Sequence, residues 1–348
     1  MSADQTKKIV AKITDWILAL FGSTVVIWFV VTQPVFTSKN EINPQAVEIN
    51  KLQIHVEMLS NDINEEFNKN DKYSHSAAYI YSEFQRLGNV RYEKISELAN
   101  QHNNIVLELG RDTNDVFVIG AHYDSENDAL GTDNDASGVA TLIELARQLS
   151  VNSNKLSLRV ILVAYPYSYD QDYRLENSGS YHHAVELKKS EKNVRLMVSL
   201  DSVGRFNESQ GSQKHPYKFM QLFYPDKGNY INLAGRLQDF NEVRKLKQSF
   251  SNATSLPIFS QNLPESFSKA KSLDYKNYWR QGFPAVLISD TANLRKVDET
   301  LYQQRLDYRK MAMLVQGLYQ VVMDTANNPN TPQVAQKNPA IHRALGLH

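Results

Sequence analysis

Residues 115–149, DVFVIGAHYDSENDALGTDNDASGVATLIELARQL, decide the fold of this chain. They begin with the apolar run VFVIGA, continue through a loop rich in Asp and Gly, and end in a segment with helical spacing. The apolar run predicts a β-strand. His122 and Asp124 follow this strand directly.

The same alternation of strand and helix continues outward from this stretch. Further strands are predicted for NIVLELG, LSLRVILVAY, VRLMVSLDSVG and FPAVLISDT. Helices are predicted for GSYHHAVELKK, INLAGRLQDFNEV and RLDYRKMAMLVQGLYQVVM, with two more between residues 43 and 87. This pattern predicts an α/β fold in which a mostly parallel mixed sheet is sandwiched between helices. The domain spans residues 37–326, and residues 327–348, rich in Pro, Asn and Gln, are predicted to be a disordered tail.

The composition excludes some classes of protein and of site. The chain has 348 residues, of which 42% are hydrophobic, enough for a sizeable core. Its 38 basic residues are balanced by 38 acidic residues, so no nucleic-acid partner is expected. Cysteine is absent, and any bound metal ion must therefore be held by His, Asp or Glu.

An uncharged apolar segment near the N-terminus predicts a membrane anchor over residues 13–36. Lys7, Lys8 and Lys12 precede the segment, whereas only Lys39 follows it closely. The positive-inside rule then places residues 1–12 in the cytoplasm and the main domain in the periplasm or outside the cell, with the lipid bilayer as a partner. A cleaved signal peptide is the alternative interpretation.

Polar residues recur where the predicted strands end. Besides His122 and Asp124, Asp201 follows RLMVSL and Asp290 follows AVLIS. In open α/β sheets, ligands bind at this edge. In their order along residues 79–322, the motifs GAHYDS, DNDASGVATLIELAR, SLDSVG and YWRQGFPAVLISDTA resemble those of the co-catalytic zinc aminopeptidases, metallopeptidase family twenty-eight. This family also contains glutamate carboxypeptidases, glutaminyl cyclases and noncatalytic receptor-like members.

The resemblance implies a two-zinc site, of which this sequence keeps only a part. His122 and Asp201 match two zinc ligands, and Asp124 matches the residue that orients the first histidine. Asn134 stands where the family places the bridging carboxylate, and a neutral amide cannot balance two divalent ions. Asp133 or a shifted Asp135 are alternative ligands, although Asp135 also suits the N-cap of the following helix.

The resemblance next implies two consecutive glutamates after ILVAY, a general base and a zinc ligand. Counting forward places Ser168 at the base and Tyr169 at the ligand, whereas counting back from the next motif gives Tyr173 and Arg174. None of these is acidic. The alternatives are two aspartates inside this lengthened loop, Asp170 and Asp172.

The last implied ligand is a histidine ahead of the closing helix. Residues 293–308, NLRKVDETLYQQRLDY, contain no histidine, and an upstream SDH-like element is replaced by SLD at 272–274. Two metal ligands are thus matched, and three are not. We therefore expect a vestigial zinc site and no bound cofactor.

The leading hypothesis is a membrane-anchored, extracytoplasmic relative of the aminopeptidases that has lost activity and binds a protein or peptide as a complex subunit. The possible interface is a run of tyrosines, Tyr165, Tyr167, Tyr169 and Tyr173. His182 and His183 are interpreted as solvated helix surface. The alternative is an active zinc-dependent aminopeptidase or hydrolase with a rearranged or single-zinc site.

Overall fold

The fold is taken from a computed structural model that describes residues 3–36, 47–60, 69–95, 103–123, 131–166, 178–265, 274–291, 294–295 and 306–327. Within these ranges, only the backbone is described for residues 3, 4, 6, 8, 69–74 and 131–135. The expected tail beyond Asn327 and the predicted sites at Asp124, Ser168 and Tyr169 lie outside these ranges, and the side chain of Asn134 is not described.

Eight strands in the described ranges form one mixed sheet with the order β1-β2-β4-β3-β5-β8-β6-β7. Strands β4, β3, β5 and β8 run parallel to one another, and β6 is parallel to β7. The other neighbouring pairs are antiparallel. The strands are β1 (Asn89–Lys94), β2 (Asn103–Gly110), β3 (Asp115–His122), β4 (Arg159–Tyr165), β5 (Asn193–Leu200), β6 (Ile231–Arg236), β7 (Ile258–Leu263) and β8 (Ala285–Ser289).

Helices cover both faces of this sheet, as predicted. The helices are α1 (Ala3–Thr32), α2 (Ile49–Ser60), α3 (Lys69–Gln85), α4 (Gly131–Val151), α5 (Gly179–Lys189), α6 (Phe240–Ala253), α7 (Asp274–Arg280) and α8 (Tyr308–Asn327). Short 3-10 turns span Ser153–Lys155, Lys218–Leu222 and Leu237–Asp239. One hydrophobic cluster joins the sheet to α2, α3, α4, α6 and α8, and a second joins the opposite face to α5 and α7.

Strand β3 is buried on both faces because its side chains alternate between the two clusters. Phe117 and Ile119 pack into the larger cluster, while Val116 and Val118 pack into the smaller one. A strand with two apolar faces can satisfy both only in the interior of a covered sheet. The strand predicted over the apolar run VFVIGA is confirmed as β3.

The helix predicted over INLAGRLQDFNEV is wrong in its first half. Ile231–Arg236 is strand β6, followed by the 3-10 turn Leu237–Asp239, and helix α6 begins only at Phe240. Ile231 and Leu233 are fully buried and pack into the same hydrophobic cluster, as side chains two positions apart in a strand do. Pairing with both β7 and β8 supplies the hydrogen bonds that local sequence could not reveal. Strands β1 and β7 were not predicted either.

Helix α4 begins at Gly131, so the N-cap predicted for Asp135 is wrong. The helix already includes Asp133, Asn134 and Asp135. Gly138 marks close packing rather than a turn, since an added Cβ would lie 3.0 Å from the carbonyl oxygen of Leu200 in β5. Ser137, one residue earlier, accepts a hydrogen bond from the backbone N–H of Val203 at 3.1 Å. These contacts hold the start of α4 over the end of β5.

Helix α1 contains the apolar segment that was predicted to anchor the chain. Within the described residues, Ile9–Thr32 is the one helix long and apolar enough to cross a membrane, and it is not buried in the domain. The helix ends at Thr32, four residues before the predicted end of the span. Gln33 has φ 44° and terminates it, because residues 32–36 bond to the α/β domain instead of continuing the helix.

A buried ionic cluster joins α2 and α3 to α4. Glu144 is fully buried, and its carboxylate accepts hydrogen bonds from Arg147 Nη2 at 2.8 Å and from His55 Nε2 at 3.3 Å. The other ring nitrogen of His55 lies 2.7 Å from the hydroxyl of Tyr79. Burial alone would raise the pKa of Glu144, but the hydrogen bonds from His55 and Arg147 outweigh it and lower that pKa below 4.5.

We predict that Glu144→Ala lowers the free energy of unfolding by about 3 kcal/mol at pH 7, because it leaves buried donors without an acceptor. Since the folded-state pKa of Glu144 is lowered, its contribution is complete above pH 4.5 and is lost as the pH falls through the folded-state pKa. Urea unfolding of both proteins from pH 7 downward measures this. Glu83→Ala, which breaks an exposed pair with Arg86, is the control and should cost under about 1 kcal/mol. A pH-independent gap would contradict the assignment.

Candidate functional site

The candidate site lies where the central parallel strands end. His122 is the last residue of β3, and Asp201 directly follows β5. Because Ala121 pairs with Leu200 in register, the sheet places His122 and Asp201 side by side. Asp201 is half-buried, and one of its carboxylate oxygens accepts a hydrogen bond from Ser202 Oγ at 3.2 Å. The structure thus brings the two predicted metal ligands to adjacent strand ends.

The carboxylate found beside His122 belongs to Asp274, the first residue of α7. Nδ1 of His122 lies 3.3 Å from Oδ2 of Asp274, and both side chains are largely buried. Because a carboxylate accepts, this contact places the proton on Nδ1 and directs the Nε2 lone pair away from Asp274. Asp124, predicted to orient His122, lies outside the described residues, so its role stays a prediction.

Asp290 holds the loop after β5 rather than facing an open cleft. It is fully buried, its carboxylate accepts from the backbone N–H of Arg205 at 2.7 Å, and its own N–H donates to the carbonyl of Ser202 at 2.6 Å. Ser202 has φ 54° and Thr291 has φ 70°. Such conformations are strained for residues other than Gly. Both residues lie two positions after a strand end, at the edge where Asp201 lies.

Tyr165 is not an interface residue, contrary to the sequence-based prediction. It is fully buried at the end of β4, where its ring packs against Gly120; an added Cβ at Gly120 would lie 2.3 Å from Cε2 of Tyr165. Its hydroxyl lies 2.6 Å from that of Tyr278. Because Gly120 has no side chain, it leaves room for the Tyr165 ring in the core. The other tyrosines proposed for the interface, Tyr167, Tyr169 and Tyr173, lie outside the described residues, as do Asp170 and Asp172.

His183 is likewise buried, so the interpretation of His182 and His183 as solvated surface is wrong for His183. Its Nδ1 lies 2.5 Å from the hydroxyl of Tyr278, which therefore connects His183 to Tyr165. Burial lowers the pKa of His183 and raises those of Tyr165 and Tyr278 well above their usual value. All three groups are neutral at pH 7, and the hydroxyls donate in a chain from Tyr165 to Tyr278 and from Tyr278 to Nδ1 of His183.

The sequence motifs at these strand ends match those of a known protein family. Residues 104–311 match the profile of Peptidase family M28. The chain belongs to this family. Over 260 residues it is 37% identical to the uncharacterized Escherichia coli K12 protein YfbL, covering 71% of this chain and 79% of YfbL.

One further relative and one solved structure are similar to this M28 chain. It is 37% identical over 114 residues to a probable zinc metalloprotease of Pyrenophora teres, covering 30% of this chain and 22% of that protein. The crystal structure of the Legionella pneumophila LapA aminopeptidase superposes with a TM-score of 0.59 at 14% identity, covering 84% of this chain and 77% of LapA. This likeness confirms the zinc aminopeptidase-like fold of the M28 domain.

Zinc sites need three or four protein ligands. In the part of the chain that the structure describes, no group of three or more His, Asp or Glu side chains is arranged to hold a metal ion. His122 and Asp201 alone do not fit zinc. The described residues of this M28 chain therefore support no chemical step through a metal ion, and the expectation that no cofactor binds stays a prediction.

Sequence reasoning missed Asp274 and Tyr278 as parts of this region. Both lie in DYKNYWR, which forms α7, and the recognised motif YWRQGFPAVLISDTA begins at Tyr278, so it leaves Asp274 out and gives Tyr278 no role. In sequence, residues 272–274 stand out only as the SLD in place of an SDH-like element. The proximity of Asp274 to His122 depends on a contact across 152 residues, which no local pattern reveals.

We predict that Tyr278→Phe destabilises this M28 domain by about 1–3 kcal/mol, because it removes the central hydroxyl of a buried chain and leaves Tyr165 and His183 without it. Thermal unfolding in detergent, calibrated by urea titration, measures the change. Tyr81→Phe, on a half-buried ring stacked against Tyr92, is the matched control and should stay within about 0.5 kcal/mol. Equal stability of the two variants would contradict the hydrogen-bonded chain.

Proposed function

We propose that this M28 protein is membrane-anchored, has lost peptidase activity, and serves as a binding subunit for a protein or peptide. The observation that carries the proposal is the substitution of the bridging acid by Asn134 in α4. Without two cations, a carboxylate near Asp201 would add a second anion to a poorly solvated edge, and like charges there raise each other's pKa. An amide keeps the shape and removes this repulsion.

The other changed positions support loss of activity in the same way. Ser168 and Tyr169 stand where the family resemblance implies a general base and a zinc ligand, and neither can replace a carboxylate base near neutral pH. No histidine occurs in residues 293–308. Loss of a general base alone costs about 10²–10⁴-fold in rate.

The second candidate is an active hydrolase with a single or rearranged zinc site. It is favoured by the contact of His122 Nδ1 with Asp274. A metal-binding histidine commonly donates its other N–H to a carboxylate, which fixes the ring and raises its basicity. His122 and Asp201 would be the ligands, and Asp170 or Asp172 the candidates for the missing acid.

Zinc content and peptidase activity separate the two candidates. We predict well under one zinc per chain by elemental analysis of the purified full-length protein, and no turnover of aminoacyl amides above buffer. Asn134→Asp should not create a two-zinc site, because the glutamate and final histidine would still be missing. In metal-free buffer this variant should lower the melting temperature, whereas exchange of an exposed amide, Gln221→Glu, should not. A ratio near two zinc ions per chain would refute the proposal.

The membrane anchor is the second part of the proposal. Cleavage of a signal peptide after the span would remove Thr32 and Gln33, whose carbonyl oxygens accept hydrogen bonds from the buried ammonium group of Lys247. A buried cation that loses its acceptors is costly. This bonding supports an anchor that stays attached to the domain.

We predict that residues 1–12 are cytoplasmic and that the domain lies in the periplasm or outside the cell, because Lys7, Lys8 and Lys12 precede the span. A reporter that is active only outside the cytoplasm should be active when fused at the C-terminus. The same reporter fused after Lys12 is the matched control and should be inactive. The reverse pattern would refute the topology.

The partner is proposed to bind at the loop that carries the remaining tyrosines. Tyr165 is excluded because it is buried. Tyr167, Tyr169 and Tyr173 remain as candidates, since aromatic side chains are common anchors at protein interfaces. Because this loop follows β4, next to β3, a partner bound there would cover the strand end that carries His122.

A further inference from the structure

The end of helix α1 is bonded directly to the α/β domain. The carbonyl oxygen of Thr32 accepts hydrogen bonds from Ser260 Oγ at 2.6 Å and from Lys247 Nζ at 2.7 Å, and that of Gln33 accepts from Lys247 at 3.1 Å. The last carbonyls of a helix have no partners within it and carry the negative end of its dipole. Lys247 of α6 and Ser260 of β7 therefore cap α1 from elements far along the chain.

The four residues after α1 are also held by α6. Arg244 donates to the carbonyl of Pro34 at 3.2 Å, and Gln248 donates to that of Phe36 at 2.7 Å. Gln33 is fully buried and donates to the carbonyl of Phe240 at 3.0 Å. Burial lowers the pKa of Lys247 to about 8, so this cation is still protonated at pH 7. Among the described residues, the segment that directly follows the anchor helix is thus bonded to the domain.

The first turn of α6 also touches the apolar part of α1. The rings of Phe29 and Phe240 lie 6.4 Å apart, and the guanidinium of Arg244 lies 5.4 Å over the Phe29 ring. Phe29 belongs to the candidate span Ile9–Thr32. At a rise of about 1.5 Å per residue, Phe29 is only about 4.5 Å from the end of the helix. The start of α6 therefore lies at the depth of the last turn of the span.

Apolar side chains are exposed around this junction. Leu237, just before α6, is 40% exposed, and Phe36 is 89% exposed. Arg244 and the exposed Lys245 supply positive charge beside them. Apolar and basic side chains on one surface are typical of segments that lie in the interfacial layer of a membrane. We refer to Phe36, Leu237, Phe240, Arg244 and Lys245 as the junction surface.

We propose that the junction surface is a second membrane contact, in which Phe36 and Leu237 enter the interfacial layer and Arg244 and Lys245 bind lipid phosphates. The inference rests on the proposed anchoring by α1. If α1 crosses the bilayer, the hydrogen bonds at its end hold the junction surface directly against the lipid. The domain is then held against the membrane in one orientation, with edge strand β7 near the lipid and edge strand β1 across the sheet.

Strand β1, at the opposite edge of the sheet from β7, provides a control position for a membrane probe. Seven strand spacings of about 4.8 Å place β1 roughly 34 Å from β7. Tyr92 in β1 is 46% exposed, close to the value for Leu237. Because the chain has no cysteine, a single introduced cysteine can carry a fluorescent label at either position.

The experiment uses the full-length protein in vesicles of phosphatidylcholine and phosphatidylglycerol that contain a spin-labelled quencher lipid. Three single-cysteine variants, Leu237→Cys, Tyr92→Cys and Trp16→Cys, are labelled with the same environment-sensitive fluorophore. We expect strong quenching at residue 16, inside the span, and several-fold stronger quenching at residue 237 than at residue 92.

The outcomes separate this inference from the anchor on which it rests. Strong quenching at residue 16 with equally weak quenching at residues 237 and 92 would overturn the junction contact and leave the anchor intact. Weak quenching at all three positions would overturn both. Quenching at residue 92 as strong as at residue 237 would overturn the single orientation.

A charge reversal tests the lipid phosphate contact. Lys245→Glu in the Leu237→Cys protein should reduce quenching at residue 237 in vesicles that contain phosphatidylglycerol, and this change leaves the bond from Arg244 to Pro34 in place. Lys94→Glu, an exposed cation on β1, is the matched control and should leave that quenching unchanged. Equal quenching in the two variants would overturn the role given to Lys245.

Discussion

Strand β3 has no face that meets water, and the rest of the domain is arranged around that constraint. Its side chains divide between two apolar clusters, so helices must cover both sides of the sheet. Its parallel neighbours, β4 and β5, can be reached only by crossover connections, which α4 and α5 provide. The same arrangement brings the carboxyl ends of all three strands to one edge. A site at that edge is thus a geometric result of burying β3.

The edge that carries His122 and Asp201 has a strained backbone. Ser202 and Thr291 hold left-handed backbone conformations, and buried Asp290 ties their two loops together. Gly138 lets α4 approach the end of β5 closely, and Gly120 makes room for Tyr165. These features depend on packing and on backbone hydrogen bonds, so the fold itself holds the shape of this edge.

The parts of the fold that sequence predicted well are those governed by local pattern. The apolar runs of β3, β4, β5 and β8 identified buried strands, and GSYHHAVELKK matched α5 from its first residue to its last. Prediction failed where distant residues decide the outcome. Ile231–Arg236 is a strand because two neighbours pair with it, and His183 and Tyr165 are buried because Tyr278 lies between them. For the site, the family resemblance grouped His122 and Asp201 at strand ends, whereas it gave no sign of the contact between His122 and Asp274.

The contacts at the end of α1 form late in the synthesis of the chain. Thr32 and Ser260 are 228 residues apart, so the helix that is synthesised first receives its cap only after most of the chain has been translated. Closing such a distant contact adds an entropic cost that the completed domain must offset. Until β7 and α6 have formed, α1 and the growing domain can move independently. The end of α1 can therefore bond to the domain only after β7 and α6 have folded. A chain in which the anchor helix is fixed to the domain has already completed its sheet.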